Sequence, residues 1–272
     1  MNSLPKQINY KVVIIGFGRV GRFFESLLQG IPRVQVVIKT REQKIYPHAD
    51  LYLICVQDQQ IPFVVNELAL HEQSSTFSVA HCSGFTSLSI LDSLKNIGCQ
   101  TAVLHPVAPI TFETKSADNM VMDALGDEGL MKIFEYWCSE WGARFVRVTE
   151  AQKKSIHIAA VMSCNYLMVL YGHVQRYLKE QGMESIEVAN MLKGMMGSSL
   201  EQVDLQSVEQ ALTGPIIRGD ISTIVQHLNL LKEEEQLLDL YRSLGTSTLD
   251  LIDHFSEKPL DKAIVEMRDL FK

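Results

Sequence analysis

The chain has 272 residues, 46% of them hydrophobic and 21% charged, with a formal net charge of −7. That length allows one large domain or two, and the composition is that of an ordinary soluble globular protein. An acidic balance without clustered Lys and Arg argues against a nucleic-acid partner, no apolar run approaches the roughly 20 residues that span a bilayer, and Met1 to Lys11 is polar with no signal-peptide core.

The first strand signal, Lys11 to Ile15, runs straight into Gly16-Phe17-Gly18-Arg19-Val20-Gly21. A helix pattern follows, with Val20, Phe23, Phe24, Leu27 and Leu28 on one face. A glycine triplet between a buried strand and a helix start is the context that dinucleotide binding needs. Gly16 allows the turn, Gly18 lets a pyrophosphate approach the backbone, and Gly21 lets the helix pack on the strand. The helix N-terminus offers its free N–H groups to the phosphates.

The helix ends near Gly30-Ile31-Pro32, and a second strand covers Val34 to Ile38. Only about a dozen residues separate it from a third, Asp50 to Val56, so the second crossover helix must be short or absent. A helix from Ile61 to Leu70 follows, with Pro62 in its first turn. Next come strand Phe77 to Ala80, helix Ser87 to Asn96, strand Thr101 to Leu104, helix Gly129 to Trp141 and strand Arg144 to Val148. Alternating apolar strands and helices predict an α/β Rossmann fold, a doubly wound parallel sheet covered on both faces, over residues 1–150.

Strand signals nearly vanish after Lys153. Ser155 to Gln181 is one long helical stretch, apolar almost all round, which predicts burial inside a domain or a dimer. Further helices are expected over Ile186 to Met196, Ile221 to Leu231, Glu233 to Leu244 and Leu260 to Phe271. Residues 151–272 are thus expected to form an all-α domain that makes a homodimer, its interface resembling a core cut in half.

The cysteines Cys55, Cys82, Cys99, Cys138 and Cys164 are odd in number and scattered, as expected of reduced thiols in a cytoplasmic protein. With no Cys-x-x-Cys or His-x-x-x-His pair, no structural zinc is expected.

In this fold an acidic residue about 20 positions past the glycines binds the ribose hydroxyl of NAD. Strand two ends instead in Lys39-Thr40-Arg41, which suits the 2′-phosphate of NADP, while Glu42 keeps NAD open. Ligands of open α/β sheets lie beyond the carboxyl ends of the strands. Val56-Gln57-Asp58 ends strand three and should pass the cofactor's ribose and pyrophosphate. His81, Cys82 and Ser83 end strand four, and His105-Pro106 ends strand five, so proton carriers converge on one edge beside the cofactor.

On the long helix His157 and Asn165 share a face two turns apart. Reduction of a C=O or C=N needs a proton as hydride arrives. His157 is the first choice for that role, because an unperturbed imidazole titrates near about 6.5. Thr213-Gly214-Pro215 and Arg218-Gly219-Asp220 form a polar, glycine-rich link between helices. Asp220 fits the N-cap of the helix from Ile221, and Arg218, with Thr213, could bind a substrate carboxylate.

The chain resembles the pyrroline-5-carboxylate reductases, the deazaflavin-dependent NADP oxidoreductases and the 6-phosphogluconate dehydrogenase-like superfamily. More closely still it resembles the Rossmann-like oxidoreductases whose helical C-terminal domain has no assigned function. The residues that carry this are His81-Cys82-Ser83-Gly84, His105-Pro106, Asn165-Tyr166-Leu167 and Leu212-Thr213-Gly214-Pro215-Ile216-Ile217-Arg218-Gly219-Asp220. The resemblance implies a nicotinamide-dependent oxidoreductase with a helical dimerisation domain. Such dehydrogenases place a Lys and an Asn on the long helix near the nicotinamide. Here Lys153 and Lys154 stand upstream, so that spacing is not reproduced.

The reading is an NADP-dependent oxidoreductase acting on a small carbonyl, imine or hydroxyl metabolite. Its rival is a non-catalytic NAD(P)-binding sensor or regulator. His157, Asn165, His105 and Ser83 favour the first, and the missing lysine the second. Metal-assisted chemistry on the same fold is disfavoured, since no carboxylate cluster is visible.

Overall fold

The computed structural model describes residues 9–43, 46–70, 77–256 and 262–272. The N-terminal sheet strands are β1 (Tyr10–Ile15), β2 (Val34–Lys39), β3 (Leu51–Ile54), β4 (Ser78–His81), β5 (Gln100–Pro106), β6 (Val121–Gly126) and β7 (Arg144–Arg147). Their order across the sheet is β2-β1-β3-β4-β5-β6-β7. β1 to β5 are parallel, whereas β6 runs antiparallel to β5 and β7 parallel to β6. The chain leaves β1 toward β2 on one side and returns to β3 on the other. That reversal opens a crevice at the carboxyl ends of β1 and β3.

Alternation along β1 explains the layering. Val12 and Ile14 face one apolar layer, and Val13 and Ile15 face the other. The first layer is built by α1 (Arg19–Leu28) and α4 (Glu128–Glu140). Their Phe23, Phe24, Phe134 and Trp137 are fully buried, each stabilising the fold by roughly 1.5–3 kcal/mol or more. The second layer is built by α2 (Ile61–Ala69) and α3 (Asp92–Asn96). The helix expected from Ser87 begins as a 3-10 turn, Leu88–Leu91, before α3. No helix lies between β2 and β3 among the described residues, as the short crossover requires.

β6 was not expected. Its apolar run is short and interrupted by Asp123, which breaks the hydrophobic pattern that marks a strand. The charge is tolerated because antiparallel pairing sets Asp123 directly opposite His105.

After β7 come α5 (Glu150–Ala160), a π-helical stretch Val161–Tyr166, α6 (Leu167–Glu180), α7 (Ser185–Leu205), α8 (Val208–Ala211), α9 (Ile221–Leu230), α10 (Glu235–Phe255) and α11 (Lys262–Leu270). The expected start of the last helix at Leu260 lies outside the described residues, as do the first eight residues of the chain. A capping box starts α5: Thr149 accepts from the Gln152 amide, and the Gln152 side chain accepts from the Thr149 amide. In the second unit Ile224, Leu249, Met267 and Phe271 join α9, α10 and α11.

The chain divides into compact units Met1–Leu167 and Met168–Lys272. The division expected after residue 150 is therefore displaced, because α5 is tied to the sheet domain. Glu150 accepts hydrogen bonds from the Leu88 amide and the Ser87 hydroxyl, and the Lys153 ammonium donates to the Thr86 carbonyl.

The long helix corrects one expectation and narrows another. Glu150–Glu180 is long and apolar enough by composition to cross a membrane, and none of its apolar window is buried within the chain. Ile158 and Met162 are 56% and 60% exposed. A helix apolar all round was expected to be covered, and this chain does not cover it.

Candidate active site

Two clefts lie at the sheet's carboxyl edge and share Cys55 and Val56 as wall residues. The larger, about 790 Å³, runs from Gly16, Phe17 and Gly18 to Lys39, Thr40 and Arg41. The glycine turn has the geometry its spacing demands. Gly16 has φ +97°, a left-handed conformation that favours glycine. A Cβ on Gly21 would fall 2.1 Å from the Gly16 carbonyl oxygen, so the helix can pack here only without one. A Cβ on Gly18 would meet nothing within 4 Å. Gly18 caps α1 without a side-chain hydrogen bond, and no acidic residue occupies the first turn. The N-terminal amides of α1 are thus left to an anion.

At the far end of this cleft Lys39 is only 6% exposed. Its ammonium lies 4.2 Å from the centre of the Tyr46 ring and 3.4 Å from the Thr40 carbonyl oxygen. No carboxylate lies within ion-pair distance of it among the described residues. The Tyr46 hydroxyl donates to Glu67, and the Thr40 hydroxyl donates to Glu42, 2.7 Å away. Glu42 is therefore held by Thr40, while a buried cation with no counter-ion among the described residues faces the cleft. Such a group needs an anionic partner. Tyr46 and Glu67 were not anticipated, because neither belongs to a motif of fixed spacing.

The smaller cleft, about 400 Å³, is lined by Arg19, Val20, Asp58, Ser83, His105, His157 and Asn165, among others. His105 Nδ1 lies 3.2 Å from Asp123 Oδ2, and the Asp123 side chain is fully buried. A carboxylate there accepts the Nδ1 proton and leaves Nε2 facing the cleft. Asp123 is the main residue missed from the sequence; the signal was Val121-Met122-Asp123-Ala124-Leu125, a strand-like run with one acid at its centre.

The His105 and His157 rings stand 6.1 Å apart between centroids. Gly84 lies between them: a Cβ there would sit 2.6 Å from His105 Nε2 and 2.6 Å from His157 Nδ1. His157 is held below the ordinary imidazole range, first by burial and then by repulsion from His105. The π-helical stretch contains Asn165, which joins the same cleft. Such stretches often occur at functional sites.

Ser83 is engaged in the loop itself. Its hydroxyl donates to Asp58 Oδ2 at 2.8 Å and accepts from the Phe85 and Thr86 amides. Its hydroxyl is thus already engaged within the loop at the wall of the smaller cleft. His81 is displaced from its expected place beside the cofactor. It is fully buried, lines neither cleft, and its Nδ1 accepts from the Ser83 amide. Strand alternation sends it to the face opposite Cys82. Burial pushes its pKa down to about 4, and burial likewise pushes Lys153 down from its ordinary range.

Gln57 lines the larger cleft and Cys82 the smaller. Thr213 and Arg218 are exposed in the second unit and are not among the residues lining either cleft. Asp220 caps α9, accepting from the Thr223 amide at 3.1 Å.

Residues 29–106 match the family model of a Rossmann-like domain, and residues 120–248 match that of a domain of unknown function, DUF2520. These are the two parts that the sequence resemblance implied, in the same order. No curated protein matches the chain. Among solved structures, one described as an NADP oxidoreductase from Bacteroides fragilis superposes with a TM-score of 0.73 at 17% identity, covering 87% of this chain and 96% of its own. A pyrroline carboxylate reductase from Plasmodium falciparum with NADP bound gives 0.59 at 12% identity, covering 97% and 99%. An imine reductase from Aspergillus terreus in complex with NADPH4 and dibenz[c,e]azepine gives 0.56 at 15% identity, covering 85% and 88%. At these identities the likeness is one of fold: a Rossmann-like sheet followed by a helical domain.

Proposed function

We propose that this chain is an NADP-dependent oxidoreductase acting on a small carbonyl, imine or hydroxyl compound. The observation that carries the reading is the pairing, in one cleft, of an anion-ready glycine turn with the buried cation of Lys39, which no carboxylate among the described residues pairs. A dinucleotide lying along the cleft would set its pyrophosphate at Gly16, Gly18 and the start of α1, beside Arg19 and Val20. Its 2′-phosphate would meet Lys39, Thr40 and Arg41, and Val56, Gln57 and Asp58 would pass its riboses. When bound, the nicotinamide supplies the hydride. The solved relatives with NADP or NADPH bound support the same choice.

The protein's own part is to bind, orient and move a proton. His105 is the proton carrier that the geometry favours. Asp123 fixes its tautomer and opposes its charge, so Nε2–H of the imidazolium can donate to the oxygen or nitrogen of the reduced group. His157, held below the ordinary imidazole range by burial, accepts a hydrogen bond in the same cleft. Asn165 orients the substrate, and Ser83 holds Asp58 in place. In the oxidising direction the same groups take the proton away.

A second copy of this chain would cover the bare apolar faces. Met168 and Val169 on α6 are 59% and 50% exposed, and Ile186 and Leu200 on α7 are 73% and 63% exposed. Patches of this kind mark association surfaces, and the homodimer is part of the proposal. Arg218 and Thr213, whose side chains suit a carboxylate, are proposed as substrate ligands on their residue types alone.

The test is turnover. Purified protein with NADPH is screened against small ketones, aldehydes and cyclic imines, and NADPH loss is followed by absorbance. Turnover that His105→Gln abolishes while cofactor binding persists supports the reading. Tight NADPH binding without turnover of any class would favour the sensor instead.

A further inference from the structure

Cys55 and Cys82 have no part in the chemistry above, yet their placement is unusual. Cys55 follows β3 and Cys82 follows β4, one residue past the paired Ile54 and His81. The two residues are therefore neighbours on adjacent parallel strands, about 4.8 Å apart across the sheet. Both side chains belong to the same apolar layer, so they point to one face. Their sulfurs are 3.6 Å apart. Both residues are buried, and both contribute to the wall of the smaller cleft.

We infer that Cys55 and Cys82 are a redox modification site, a dithiol that a peroxide converts to a disulfide beneath the glycine turn. The geometry needs little change. A disulfide tolerates Cα separations of about 4.4–6.8 Å, and the sulfurs must close to about 2.05 Å. In the first step a thiol sulfur attacks the peroxide, the O–O bond breaks, water leaves and a sulfenic acid forms. The second thiol then attacks that sulfur, the S–S bond forms and a second water leaves. Two thiols lose two electrons, and the peroxide gains them. Burial pushes the Cys82 thiol well above its ordinary range, so Cys82 rests as the thiol and the oxidation is slow.

The consequence falls on the cleft. A Cβ on Gly16 would lie 2.9 Å from the Cys55 carbonyl oxygen, and one on Gly21 would lie 3.5 Å from the Cys55 Cβ. The backbone at Cys55 is thus the floor on which the glycine turn rests. Drawing the Cys55 sulfur toward Cys82 moves that floor. The oxidised protein should bind the dinucleotide more weakly, and a bound dinucleotide should protect the thiols. This consequence rests on the proposed nucleotide site; the disulfide itself does not.

The full-length Cys164→Ser protein is the background, since Cys164 is the one free cysteine that is not buried. It is treated with hydrogen peroxide, with and without NADP. Peptide mapping then identifies disulfides, and NADPH affinity is measured before and after treatment and again after reduction by dithiothreitol. The inference expects a Cys55–Cys82 linkage, slowed by NADP, with NADPH bound about ten-fold or more weakly until reduction. Adding Cys55→Ser or Cys82→Ser removes both the linkage and the change in affinity. Peroxide that leaves both thiols free, or links them to other cysteines, overturns the site. A mapped Cys55–Cys82 linkage with unchanged NADPH affinity keeps the modification and overturns its control of the cleft. A protein that forms the linkage but never binds NADPH overturns the proposed cofactor instead.

Discussion

His105 Nδ1 and Asp123 Oδ2 face each other at 3.2 Å across the β5–β6 ladder, the aspartate fully buried behind the histidine. Replacing Asp123 by Asn keeps the shape but lets the side-chain amide donate, which favours the opposite imidazole tautomer. Asp123→Asn should lower kcat by about 10²-fold or more, the usual scale of a general acid–base contribution. NADPH affinity should stay within about two-fold, because the pair lies away from the larger cleft. Steady-state kinetics beside a binding titration separates the two effects. Equal losses in both would assign Asp123 to folding instead.

Gly84 is held between the two imidazoles. Gly84→Ala places a methyl group 2.6 Å from a ring nitrogen of each. Overpacking of this kind costs about 1–3 kcal/mol, so the variant should fold with a lowered Tm and lose activity through displaced rings. Circular dichroism and turnover together test this. A fully active Gly84→Ala protein would mean that the rings do not act at these positions.

In the proposed site Lys39 is the residue that would separate the two nicotinamide cofactors. Lys39→Ala should weaken NADPH binding by roughly ten- to a hundred-fold, the scale of hydrogen bonds to charged groups. NADH binding should change little. Tyr46→Leu, which removes the ring 4.2 Å from the ammonium, should have the same sign and a smaller size, about three- to thirty-fold. Parallel titrations with both cofactors give the ratio. A uniform loss for both would contradict the assigned role.

His81 makes stability depend on pH. Its folded pKa of about 4 lies below the ordinary 6.5, so the unfolded chain binds more protons between those values. Stability is then fully present above about pH 6.5 and falls as pH drops toward about 4, by up to roughly 3 kcal/mol from this residue. Denaturant titrations across that range should show a gentler slope for His81→Gln. Identical slopes would show that His81 does not titrate in this window.

The dinucleotide half of the proposed site is legible in the sequence because each of its residues answers to local geometry. The strand, the glycine spacing and the helix face follow one another in sequence. The half proposed to be catalytic is made by long-range pairing. His105 stood out as a histidine at a strand end, but its partner Asp123 lies 18 positions away on a strand that its own charge disguises. Lys39 was legible as a basic strand tip, whereas Tyr46 and Glu67 come to it only through packing. The apolar helix was legible as a helix. Its exposure was not, since periodicity reports that a face is apolar and never says which molecule covers it.

That exposure is checked by light scattering after size exclusion. A dimer is expected, and Met168→Glu with Val169→Glu should shift it toward monomer. A monomer that instead partitions into lipid vesicles would contradict the dimer and point to a membrane surface.

The most direct test of the central claim is a fluorescence titration with NADPH and, in parallel, NADH. The account predicts micromolar NADPH binding and NADH weaker by about ten-fold or more. Binding of neither cofactor would contradict the oxidoreductase reading itself.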